Sequence, residues 1–208
     1  MPAAPAGPEG ENMSVENKVL DFWFGSGASQ AWFTERMKLW FGGTDEINAR
    51  IRELFGADVA AAASGGHDLL AESASGRLAL IVLLDQFTRN VHRKTGRMFV
   101  NDPKALQLAI EGIEKGHDQA IAALRRMFFY LPFEHSEDPG MQKRSVALFE
   151  QLAPEMDALS PGSGTAVLGY AIKHREVIAR FGRFPHRNAL LGRTSTAEEQ
   201  RYLDDGGG

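Results

Sequence analysis

The chain has 208 residues, 43% of them hydrophobic, and no cysteine. That is enough apolar material for one sizeable core without cross-links, and the missing thiols exclude disulfide frameworks, thiolate zinc sites and cysteine nucleophiles while suiting a reducing cytoplasm. The formal charge of −4 is unevenly spread: residues 173–193 hold six basic side chains against Glu176 alone, and residues 86–101 hold Arg89, Arg93, Lys94 and Arg97 with no acid. Two basic islands in an otherwise acidic chain point to a local anion site rather than to a nucleic-acid binder.

Residues 1–13, rich in Pro, Ala and Gly, read as a disordered leader. Helical periodicity then dominates. Val19, Leu20 and Trp23 mark one face of a short helix over 15–24, which Gly25 and Gly27 break. A second helix over 30–41 adds Trp32, Phe33 and Trp40, and the three tryptophans are expected to cap the core or to reach a pocket rim. Thr44 ahead of Asp45 and Glu46 predicts a helix with Ile47, Ile51, Leu54 and Phe55 inward, ending near Ser64-Gly65-Gly66. The run from Gly76 through Leu84 is apolar on nearly every side and reads as the central buried helix, finishing in Asp85-Gln86-Phe87-Thr88-Arg89-Asn90.

Asp102-Pro103 offers a capping side chain and then proline at the first helical position, with Leu106, Ala109, Ile110 and Ile113 as the inner face. The next helix is expected over 118–131 and closed by Pro132; Asp138-Pro139 starts another, with breaks at Pro154 and Pro161-Gly162. A long helix over 165–181 should stop at Gly182, and Ser195-Thr196-Ala197-Glu198 reads as a capping box for a last helix through Leu203. Alternating strands and Asn-Gly or Asp-Gly hairpins are missing. The expected fold is all-α: antiparallel helical hairpins stacked in a superhelical or bundle manner like tetratricopeptide repeats, in one domain over 14–205.

Four segments carry polar groups that a plain helical fold does not require. Asp85 and Arg89 stand four apart, in the order that suits an ion pair on one helix face, with Asn90 beside them. His135 and Glu137 follow a helix end and precede a helix start, where either can carry a proton or orient a ligand. His174 falls on the apolar stripe of Val167, Tyr170, Ala171, Ile178 and Phe181. In residues 180–193, Phe184-Pro185 forces an extended segment that displays Arg183, His186, Arg187 and Asn188. Arginine forks take carboxylate or phosphate in bidentate fashion. Plainer readings stand beside each: a helix-end salt bridge, capping acids with a bystander histidine, a satisfied core histidine, and arginines that neutralise helix C-termini.

The sequence contains no Gly-Lys of a phosphate loop, no His-Glu-x-x-His and no Gly-x-Ser-x-Gly elbow. No cofactor is expected, and no metal, because His135, Glu137 and Asp138 have no specific ligand spacing. No apolar run reaches the roughly 18–20 residues of a membrane span.

Trp23-Phe24, Asp85-Gln86-Phe87-Thr88-Arg89-Asn90, Phe129-Tyr130-Leu131-Pro132 with His135-Ser136-Glu137, and Phe181-Gly182-Arg183-Phe184-Pro185-His186-Arg187-Asn188 with Leu191-Gly192-Arg193 stand in this order along the chain. In these motifs it resembles the bacterial domain-of-unknown-function family 924, over about 15–203. Thr88 stands where the family usually has proline. The resemblance implies a helical fold similar to tetratricopeptide repeats and implies no activity.

The residues themselves suggest a phosphate- or carboxylate-bearing small molecule held between helices by Arg89, Arg183 and Arg187. Asp85, Asn90, His174 and Asn188 would surround it, with His135, Glu137 and His186 as acid–base candidates, with or without catalysis. The alternative is an interaction module whose stacked hairpins clamp an acidic peptide or a C-terminal carboxylate. Neither reading involves a membrane or nucleic acid.

Overall fold

Side-chain caps set where the helices begin. The structure, a computed structural model, describes residues 13–27 and 30–207, so the leader expected at 1–13 lies outside the described residues apart from Met13. Ser14 accepts from the Asn17 N–H to start α1 (Val15–Phe24), which is followed by α2 (Gln30–Phe41). Thr44 accepts from the Ile47 N–H to start α3 (Asp45–Ala63), as predicted, and Ser73 caps α4 (Ala74–Ile81). α4 passes into a π-helical stretch over Val82–Phe87 and returns to α geometry in α5 (Thr88–Val91). Every residue from Gly76 to Thr88 is buried, so this is the central helix of the fold. α1, α3, α6 (Asp102–Glu114) and α7 (Ala123–Glu134) pack around it. Apolar cover on all sides is what a run without a polar face demands.

Beyond this layer, α7, α8 (Pro139–Leu159) and α9 (Ser163–Phe181) form successive helical hairpins, and α10 (Ala197–Asp204) closes the described chain. Gly162, at φ 87°, makes the tight turn between α8 and α9. Gly164 then lies so close to the Ala153 carbonyl that any side chain would collide with it, which lets the two helices approach. Among the described residues there is no strand, and no helix is long and apolar enough to cross a membrane.

Aromatic rings tie α1 and α2 to the centre. Trp23 meets Phe87 and Phe128 edge-on, with centroids 5.2 and 5.7 Å apart, and Phe128 meets Trp40 at 5.0 Å. Such pairs each contribute about 0.5–1.5 kcal/mol beyond the area they bury. The tryptophans therefore do both things expected of them: Trp23 is fully buried, while Trp40 also lines a cavity.

Some predicted boundaries move. Pro132 does not end its helix; it is buried inside α7, which continues to Glu134 with His135 as C-cap. The burial of Pro132 and Phe133 in the core outweighs the single backbone bond a proline omits there. Pro154 lies likewise inside α8. Residues 118–120 form a separate 3₁₀ turn, because buried Asp118 is held by the Tyr130 hydroxyl at 2.6 Å instead of leading an α-helix. Asn101 takes the N-cap position of α6, since Asp102 is engaged by arginines. The capping box is Thr196 with Glu199, one residue along from the predicted pair, and Ser195 receives Asn188 Nδ2 instead.

Candidate functional site

The last turn of α7, the π stretch and α9 converge on one cavity of about 490 Å³. Its walls are largely apolar: Trp40 from α2, Met127 and Leu131 from α7, Phe149 and Met156 from α8, and Val167 from α9. Met37, Phe41 and Tyr170 also line it and remain exposed, which places them at its mouth. Its polar lining is Gln86, Arg89, Glu134, His135, Ser163 and His174.

The polar end is built on a charge network. Asp85, fully buried by the π stretch, accepts from His135 Nδ1 at 2.7 Å and faces Arg89 Nη1 at 3.2 Å, and it also accepts from Gln86. Arg89 forks onto Asp102, Nη1 to Oδ1 at 2.9 Å and Nη2 to Oδ2 at 3.1 Å. Arg187 donates to the same Asp102 at 3.2 Å and to the His135 carbonyl at 2.9 Å, with its guanidinium 4.5 and 4.6 Å from the Phe99 and Phe184 rings. Two arginines and two aspartates thus balance, as buried charges must. Burial opposes the Asp85 anion, but Arg89 and His135 together hold its carboxyl well below the usual range.

Backbone bonds fix this end of α7. Gln142, fully buried on α8, donates to the carbonyls of Glu134 at 2.7 Å and Ser136 at 2.6 Å, while Arg187 takes that of His135. Carbonyls left open at a helix C-terminus are thereby satisfied, and the His135 ring cannot swing away. A carboxylate only accepts, so His135 carries its proton on Nδ1 toward Asp85 and keeps a lone pair on Nε2. Burial, with Arg89 nearby, holds its pKa below the usual value and keeps the ring neutral at pH 7.

His174 is arranged similarly. Its Nδ1 donates to the Tyr170 carbonyl at 2.9 Å and lies 3.2 Å from Glu134 Oε1. Burial pulls His174 down to about 4, whereas burial and the neighbouring Asp85 push Glu134 up to about 8. At pH 7 the pair is a neutral imidazole beside a protonated carboxyl. An oriented base, His135, and a buried acid, Glu134, therefore line the same chamber.

Of the residues singled out in the sequence, Asp85, Arg89, His135 and His174 come together here, with Arg187 behind them. The others, His186 apart, lie elsewhere. Asn90 donates to Asn48 Oδ1 at 2.9 Å and ties α5 to α3. Arg183 forks onto Glu199 at 2.6 and 2.8 Å, and Asn188 donates to Ser195. Glu137 receives both Nη atoms of Arg193 at 2.8 Å and the Phe184 N–H at 2.9 Å. His186 is exposed beside the Phe184 ring, at the edge of the network, where it interacts electrostatically with Arg187, His135 and His174. The forks of Arg89, Arg183 and Arg193 are each filled by a carboxylate of the chain itself. Glu137 is held by Arg193 and Asp138 caps α8, which separates both from His135; among the described residues no group of three or more metal-binding side chains is assembled.

Three contributors were not singled out as site residues in the sequence: Glu134 and Asp102, read as caps, and Gln142. Glu134 carried a usable signal, for Leu124, Met127, Leu131 and Glu134 share one helical stripe and all line the chamber. A carboxylate at the end of an apolar stripe marks the face of a cavity.

The family model for "Bacterial protein of unknown function (DUF924)" matches residues 19–207. A solved structure described as a protein of unknown function from Agrobacterium tumefaciens is similar at 38% identity and a TM-score of 0.78, over 92% of this chain and 97% of that one. No curated protein matches. The network joining Asp85, Arg89, His135 and Arg187 is built from the motifs that carried the resemblance, and the chain belongs to the DUF924 family of bacterial proteins.

Proposed function

We propose that the protein binds an amphiphilic small molecule in the chamber between α2, α7, α8 and α9, with the apolar body against Trp40, Met127, Leu131 and Phe149 and the polar head at Glu134, His135 and His174. The observation that carries this reading is the 2.7 Å contact of Asp85 with His135 at one end of a chamber of about 490 Å³. Mostly apolar cavities of about 300–1,000 Å³ with a few convergent polar groups are the usual form of small-molecule sites. The carboxylates already seated on Arg89, Arg183 and Arg193 leave recognition of the head to the groups still open. In this reading His135, oriented by Asp85, accepts a proton at Nε2, and Glu134 supplies one.

Val167→Trp tests it by filling the chamber from the α9 wall. Small amphiphiles found by calorimetric screening should bind the wild-type protein and lose at least tenfold in affinity with the variant. Binding that is indifferent to Val167→Trp would place the ligand elsewhere and end the proposal.

A further inference from the structure

We infer that the head group this chamber takes is a protonated amine, with the Glu134 carboxylate as its counter-ion and aromatic rings around its neck. The inference rests on the chamber being a small-molecule site and adds the charge of the ligand.

Glu134 is only 5% exposed, and among the described residues no lysine or arginine forms an ion pair with it. Its one charged-capable contact, His174 Nδ1 at 3.2 Å, already donates to the Tyr170 carbonyl. His135 and His174 both commit Nδ1 to an acceptor, so each keeps Nε2 as a lone pair. Two imidazole acceptors and a carboxyl without a cation therefore stand open at this end, while Gln86 and Arg89, which also line it, are engaged with Asp85 and Asp102. An ammonium group donates three hydrogen bonds and accepts none, which matches that set. An anion would meet the Glu134 carboxyl and two imidazole lone pairs, and the donors beside them, Gln86 and Arg89, already serve the carboxylates of Asp85 and Asp102. An alcohol would satisfy one of the open groups and leave the rest unpaired, which is costly among largely apolar walls.

The surrounding charges favour the same choice. From the π stretch and α5, Asp85 and Arg89 face this end; Arg89 is matched by Asp85 and Asp102, and Arg187 behind His135 by Asp102. From α9 comes His174, while α8 contributes the apolar Phe149 and Met156. Asp85 is the neighbouring charge felt at Glu134, and it disfavours a second uncompensated anion there. Trp40 and Phe41 line the same chamber and offer aromatic surface to a cation that enters it, as the Tyr170 ring at the mouth already does to Lys173 at 5.5 Å. Because burial keeps a proton on Glu134 up to about pH 8, an arriving ammonium displaces it, and the displaced proton leaves to solvent.

Titration calorimetry of the full chain with 3-phenylpropylamine, 3-phenylpropanol and 3-phenylpropanoate at pH 7, in phosphate and in Tris, decides the matter. The amine should bind at least tenfold more tightly than the alcohol and release close to one proton, read as a buffer-dependent heat. Glu134→Gln should lose that preference and the proton release, while Val167→Trp should abolish binding of the whole series. If the alcohol or the carboxylate binds as tightly as the amine, or the amine binds without releasing a proton, the amine assignment is overturned and the chamber stands. If no member binds, or binding survives Val167→Trp, both fall.

Discussion

Replacing Glu134 by glutamine keeps the size and shape of the side chain and removes its titration. Burial, with Asp85 nearby, lifts the carboxyl from an ordinary 4.5 to about 8. A group whose folded pKa lies above its unfolded one holds its proton more tightly when folded. Stability is therefore undiminished below about pH 4.5, declines as pH rises through the window to 8, and levels off above it. At about 1.4 kcal/mol per tenfold change in proton affinity, the wild-type protein carries a penalty of up to about 3 kcal/mol at pH 7 that the variant lacks. For a domain of this length that corresponds to roughly 6–12 °C in melting temperature. Thermal and urea melts of both proteins from pH 5 to pH 9 measure it. Asp85, His135 and His174 are present in both, so the difference isolates Glu134. The variant should lead by about 1 kcal/mol or less near pH 5 and pull further ahead toward pH 8. A difference that stays flat across the range would mean that Glu134 ionises as an ordinary carboxyl, and the account of this end of the chamber would be wrong.

Other expectations follow from the same geometry. Asp85→Ala leaves the His135 Nδ1–H and Gln86 without their acceptor and unbalances two arginines; it should cost about 3–5 kcal/mol in urea unfolding, and a loss under 1 kcal/mol would show the network to be dispensable. A methyl group at Gly112 would run into the Phe129 ring and the Arg77 side chain, both buried, so Gly112→Ala should cost about 1–3 kcal/mol by overpacking. An unchanged melting temperature would contradict that packing. Thr196→Ala removes the N-cap bond to the Glu199 N–H and should lower stability by about 1 kcal/mol, with Ser restoring most of it.

Elements with a cap or a single apolar stripe could be read from the sequence, because those features are local. Thr44, Asp138 and Gly182 each end or begin a helix where their side chain or backbone freedom requires. Pro132 misled because a proline's preference to end a helix is weak beside the burial of the segment around it. Asp102 looked like a cap for the same local reason, while its actual partners, Arg89 and Arg187, lie 13 and 85 residues away. Partner choice among charges is a tertiary matter. Composition therefore showed an excess of arginines in one stretch but could not show that Glu137 and Glu199 already occupy two of them. Glu134 was read only as a capping acid through the same error as Pro132: once the helix was taken to stop at 131, its position on the stripe had no meaning.

The π stretch at Val82–Phe87 has one further consequence. Thr88 N–H reaches back five residues to the Leu83 carbonyl, so the helix carries one residue more than its α-helical path needs. The bulge takes up that residue, so Arg89 and Asn90 stand where a regular helix one residue shorter would put them, while in sequence they are roughly 100° out of step with the apolar run before it. Deleting one residue within the stretch would let it close to α geometry with Arg89 and Asn90 still facing Asp102 and Asn48. A constant helical period read across 76–90 therefore misplaces the polar pair at its end, and counting one residue fewer restores it.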